Sequence, residues 1–83
     1  MKYQLTKHAQ HVLQEREIPI EFMESVLQNP QLSIPDENDP ELEHLLAKIP
    51  KFGGRVLRII VNKKVDPVRI VTVYYDRKMR DKL

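Results

Sequence analysis

Hydrophobic positions along the chain change period twice. From Leu5 onward Ala9, Val12, Leu13 and Arg16 recur at helical spacing, and Phe22, Met23, Val26 and Leu27 form a second apolar stripe. Thr6 is suited to cap the first helix, which is expected to run to about Arg16, after a short opening strand over Tyr3 to Leu5. Pro19 suits the first turn of the second helix, where Glu21 and Glu24 complement the positive helix end, and Asn29-Pro30 stops it. The Glu17-Ile18-Pro19 turn predicts an αα-hairpin.

Beyond Pro30 the reading is less regular. Leu32-Ser33-Ile34 is compatible with a brief strand or extended linker, and residues 35–40 (PDENDP) make an acidic, turn-rich connection. Asp39 and Pro40 then resemble an N-cap and first helical residue, and Leu42, Leu45, Leu46 and Ile49 fall at i, i+3, i+4 and i+7. The spacing predicts a third short helix ending at Pro50. Gly53-Gly54 reads as a turn. Arg55 to Val61 and Val68 to Tyr75, rich in β-branched residues and separated by a turn ending in Asp66-Pro67, predict two antiparallel strands. Strict alternation would place Val68, Ile70, Thr72 and Tyr74 on one face and Arg69, Val71, Val73 and Tyr75 on the other. The tail from Asp76 onward is a basic extension or short terminal helix.

This pattern fits one α+β domain spanning 1–83, an N-terminal helical hairpin packed on a small antiparallel sheet. With 83 residues and no cysteine, the chain has no disulfide or thiolate metal site to reinforce its core, and a thiolate nucleophile is excluded. No apolar run approaches the ~20 residues that span a bilayer, and the polar N-terminus lacks a secretory core, so a cytoplasmic protein without membrane contact is expected.

Charge changes the picture more than composition does. Residues 1–50 hold four Lys/Arg against nine Asp/Glu, whereas residues 51–83 hold ten against three. Positive charge is concentrated on the predicted sheet and tail, where it can attract phosphate. Arg55, Arg58, Arg69, Arg77, Lys78 and Arg80 are the candidate nucleic-acid-binding residues, with Tyr74 and Tyr75 beside them. The alternative is a solvated sheet face whose arginine stems cover apolar surface. Among His8, His11 and His44, the first two are one helical turn apart, but no third ligand completes a metal site. No cofactor motif is present; Gly53-Gly54 lacks the Lys-Ser/Thr of a nucleotide loop.

Thr6-Lys7-His8-Ala9, Glu15-Arg16-Glu17-Ile18, Gly54-Arg55-Val56-Leu57-Arg58-Ile59-Ile60 and Val71-Thr72-Val73-Tyr74 together resemble the bacterial family called domain of unknown function 4258. Four residues after the histidine, where members often carry arginine, this chain has Val12. The family is grouped with the RelE/ParE toxin-like superfamily, one branch of which cleaves messenger RNA without metal while another acts on gyrase. The resemblance implies a possible endoribonuclease toxin with His8, Arg58, Tyr74 and Arg77 as catalytic candidates. It also implies RNA or the ribosome as a target, and an antitoxin-like protein as a partner. The competing expectation is a non-catalytic module that binds protein or nucleic acid on the same scaffold.

Overall fold

The structure is a computed structural model that describes residues 2–83. Five strands form one mixed sheet: β1 (Tyr3–Leu5), β2 (Leu32–Pro35), β3 (Leu42–Ile49), β4 (Arg55–Asn62) and β5 (Val68–Tyr75), in spatial order β1-β5-β4-β3-β2. Helices α1 (Lys7–Glu15) and α2 (Ile20–Gln28) cover one face. β1 runs parallel to β5, and all other neighbours are antiparallel.

The α+β class holds, but a helical hairpin on a small antiparallel sheet does not describe this chain. One strand precedes the helices and closes the sheet's far edge in parallel, so the sheet is mixed. Each helix packs on its own strands, α1 against β5 and β1, and α2 against β4 and β3, so sheet contacts rather than a helix pair hold them.

Thr6 makes the passage from strand to helix. Its N–H donates to the Ile70 carbonyl at 3.1 Å, extending the β1–β5 ladder, while its Oγ1 accepts from Ala9 N at 3.0 Å as the α1 cap. The same hydroxyl donates to the Val71 carbonyl at 2.9 Å. At the other end of α1, Glu17 adopts φ 53°, a left-handed conformation costing a non-glycine residue roughly 1–2 kcal/mol, and the Ile18 N–H returns to Leu13 O at 2.9 Å.

The predicted third helix is strand β3. Its leucines satisfy a helical period because apolar residues fall on both faces of the strand: Leu45, Ala47 and Ile49 point to the helices, while half-buried Leu42 and fully buried Leu46 lie on the opposite side. Apolar residues on both faces blur the strand's alternation, and pairing with β2 and β4 overrides the helix-forming character of Glu43, Ala47 and Lys48. The supposed helix cap closes a hairpin instead. Asp36 Oδ2 accepts from the N–H groups of Asn38 and Asp39, and Asp39 Oδ1 accepts from Glu41 N.

Alternation along β5 also breaks. A bulge makes Val61 face Ile70 while Ile60 faces Thr72, leaving Val71 without a β4 partner. Ile70 and Val73, three residues apart, therefore both reach the helix-covered core. Tyr75 joins that core side and Tyr74 turns to the other face beside Arg58. Asp66-Pro67, a cis peptide bond, lies in the β4–β5 turn. The chain then ends in a 3₁₀ turn over Arg77–Met79.

Two carboxylates on the β2–β3 hairpin link this fold to pH. The Asp36 carboxyl is held below its usual range by the His44 side chain and by the N–H groups of Asp39 and Asn38, and the Glu43 carboxyl by the Ser33 hydroxyl and the Lys63 ammonium. Lowered folded-state values mean that their contribution is complete above the unfolded-state values near pH 4 and disappears as pH falls through the folded-state ones. Urea unfolding should therefore show a lower midpoint at about pH 3 than at about pH 6. The fall should be shallower in Asp36→Asn/Glu43→Gln, and an identical fall in both proteins would remove these carboxylates from the account.

Candidate functional site

A cleft of about 850 Å³ opens where the end of α1, the C-terminal half of β5 and the two 3₁₀ turns meet. Four arginines line it: Arg16 from the end of α1, Arg55 at the start of β4, and Arg77 and Arg80 from the C-terminal turn. Tyr74, Tyr75, Phe52 and Val12 supply its aromatic and apolar surface, and Asp76 is its one carboxylate among the described residues.

The local chain explains this convergence. Pro50 starts a 3₁₀ turn that Gly53 ends at φ 66°, a conformation suited to glycine, and the Gly54 N–H closes the turn on Ile49 O at 3.0 Å. The turn lifts Phe52 out to 41% exposure, where the Arg55 guanidinium lies 4.6 Å over its ring and Tyr75 stacks at 5.2 Å between centroids. Burial raises the Tyr75 phenol above its ordinary value, with nearby Arg55 opposing that shift, so the ring is a neutral wall.

The sequence candidates divide between cleft and surroundings. Arg55, Tyr74, Arg77 and Arg80 come together, while Lys78 is exposed outside the lining and Arg69 sits at the opposite end of β5, level with Gln4 and Asn62. His8 is one contact away, its Nε2 3.1 Å from the hydroxyl of Thr72, a lining residue. Arg58 is placed differently from the others. It is largely buried on the face away from the helices, with Nη2 2.7 Å from Asp76 and Nη1 2.7 Å from His44 Nδ1. Arg16 was not among the candidates, although its place in the α1 stripe, one turn beyond Val12, carried the signal.

His44 faces partners on both sides. Arg58 can only donate, so Nδ1 accepts, and the ring proton on Nε2 is donated to Asp36 Oδ1 at 2.6 Å. Both ring nitrogens are therefore engaged in hydrogen bonds. Groups of three or more His, Asp or Glu arranged to hold a metal ion are absent among the described residues.

The family model described as domain of unknown function (DUF4258) matches residues 5–75. The chain belongs to the DUF4258 family. The matched segment runs from Leu5, the last residue of β1, to the end of β5 and so takes in the cleft's helix, strand and first-turn walls, while Arg77 and Arg80 lie beyond it. No curated protein and no solved structure matches the chain. No helix among the described residues is long and apolar enough to cross a membrane.

Proposed function

We propose that this DUF4258 protein binds single-stranded RNA, with the phosphodiester backbone held in the arginine cleft. The observation supporting this is the meeting of four arginines from three separate segments around one opening with a single carboxylate, itself paired to Arg58. Arginine forks match phosphate oxygens bidentately, and the exposed Tyr74 and Phe52 rings give bases a surface on which to stack. Folding recruits Arg16 out of the acidic half of the chain, so the cleft is more basic than the overall charge of +2 suggests.

The position of His8 beside Thr72 favours a second reading, strand cleavage in the same cleft. The ribose 2′-hydroxyl would attack phosphorus as His8 or Tyr74 takes its proton, the P–O5′ bond would break, and the leaving 5′-oxygen would take a proton from water, which the protonated base then restores. The products would be a 2′,3′-cyclic phosphate and a 5′-hydroxyl end. Arg55 and Arg77 would stabilise the added phosphate charge. Kinship with the RelE/ParE toxin-like proteins, the ribosome as target and an antitoxin-like partner belong to this second reading.

Fluorescence anisotropy with a labelled oligoribonucleotide tests the first reading. Affinity should fall steeply between about 50 and about 200 mM salt. Absence of salt-sensitive binding overturns it. Resolving the same mixtures on a gel, with chelator and with or without ribosomes, tests the second: uncleaved RNA leaves the protein a binder.

A further inference from the structure

Asp76, the one carboxylate lining the cleft among the described residues, is also the joint on which its C-terminal wall turns. Asp76 N–H donates to Val56 O at 2.9 Å, fixing the residue to β4. Its Oδ1 accepts from Lys78 N at 3.0 Å, capping the turn that carries Arg77 and Arg80, and its Oδ2 faces Arg58 Nη2 at 2.7 Å. The turn has little stability of its own. Its backbone bonds from Met79 to Asp76 and from Arg80 to Arg77 measure 3.3 and 3.4 Å, and a single 3₁₀ turn orders several dihedral angles for few hydrogen bonds. The direction of Arg77 and Arg80 thus depends on the orientation of the Asp76 carboxylate.

That orientation is set from behind the sheet. Arg58 is 14% exposed, and its Nε is buried without a protein partner, so the guanidinium rests on its two Nη contacts, Asp76 on one side and His44 on the other. His44 is held in turn by Asp36, and Asp36 by two backbone N–H groups of the β2–β3 hairpin. The chain Asp36–His44–Arg58–Asp76 crosses the sheet from the far hairpin to the cleft.

We infer that His44 and Arg58 are positioning residues for the arginine cleft: they touch no ligand, but fix Asp76 so that Arg77 and Arg80 face a bound phosphate while its own negative charge stays neutralised. This rests on the RNA-binding reading and explains why an arginine in a basic strand is engaged by Asp76 and His44 instead of lining the cleft. It requires a hydrogen-bond acceptor at His44 Nδ1. A leucine of similar bulk removes that acceptor, whereas a glutamine supplies one acceptor and one donor.

The experiment compares wild type, His44→Leu, His44→Gln and Asp36→Ala by anisotropy with the labelled oligoribonucleotide and by the amide NMR signal of Lys78, which reports the cap without any ligand. His44→Leu and Asp36→Ala should weaken RNA binding roughly three- to tenfold and shift the Lys78 amide, and His44→Gln should restore both. Asp36→Ala acts at the more exposed end of the chain and keeps the test open if His44→Leu folds poorly. An unmoved Lys78 amide in folded His44→Leu or Asp36→Ala overturns the inference, as does a moved amide with unchanged RNA affinity. Failure of the wild type to bind RNA overturns the proposed function instead, and the Lys78 amide alone then decides whether His44 and Arg58 orient the turn.

Discussion

Alanine at both Arg77 and Arg80 is expected to weaken binding of a single-stranded oligoribonucleotide roughly 100-fold at about 50 mM salt, and to make that binding less sensitive to salt. Each arginine that neutralises a phosphate on a single strand releases condensed counterions worth about 0.7 in the slope of log affinity against log salt, so losing two should flatten the slope by about 1.4. Arg69→Ala supplies the comparison. It removes one positive charge, against two in the double variant, at the opposite end of β5 and outside the cleft. If the cleft is the binding surface, Arg69→Ala changes affinity little. Equal losses per charge removed at either end would mean diffuse attraction to a basic protein, and the cleft would carry no function. Lysine in place of both arginines separates charge from shape: the slope should recover while affinity recovers only in part, because an ammonium cannot make the bidentate contact.

Much of the scaffold holding those arginines is legible where local chemistry and tertiary context agree. Thr6 is readable as a cap because the hydroxyl-to-amide bond spans three residues, and the Pro19, Asn29 and Gly53 boundaries follow from backbone restrictions that act in isolation. β4 and β5 are readable because β-branched runs bounded by turn residues have few other uses. β3 is not readable in this way. A strand with leucines on both faces loses its alternation, and Leu42, Leu45, Leu46 and Ile49 coincide with a helix period that the flanking β2 and β4 contradict. The β5 bulge is equally silent, since nothing within residues 68–75 marks Val71 as the position that β4 leaves unpaired and whose carbonyl accepts from the Thr6 hydroxyl instead.

The candidate site divides along the same line. Residue type and charge density selected Arg55, Tyr74, Arg77 and Arg80, which the fold gathers into one cleft. Arg58 carries the same local signal as Arg55, three residues earlier, but strand alternation turns it to the opposite face, where His44 and Asp76 engage it. Its two partners come from distant strand ends, so no spacing rule discloses them. Arg16 illustrates the converse. It belongs to the acidic half of the sequence, yet α1 carries it to the cleft and adds it to three arginines from the basic half.

Ile59→Ala is expected to have the largest effect on stability, about 3–4 kcal/mol. Ile59 lies midway along β4, the central strand of five, fully buried between Leu45 of β3 and Val73 of β5 on the helix-covered face. Truncating it removes buried methyl groups and leaves a cavity where three strands and α2 meet, a place with little freedom to collapse. A domain of this length has about 4–12 kcal/mol in total, so the loss is a large fraction of its stability. Ile60, next along the strand, has its side chain on the other face and is half-buried, so Ile60→Ala should cost clearly less. Urea unfolding should show this as a larger fall in midpoint for Ile59→Ala with little change in slope. Similar costs at the two positions would contradict the register that sets which face of β4 meets the helices. That register also sets Arg58 on the face away from the helices, because Ile59 and Arg58 are adjacent and must face opposite sides. The folded fraction of Ile59→Ala should bind RNA with near wild-type affinity, since the Ile59 side chain does not line the cleft and makes none of the hydrogen bonds from Asp36 to Asp76. A protein that loses stability without losing affinity would separate the core from the site it supports.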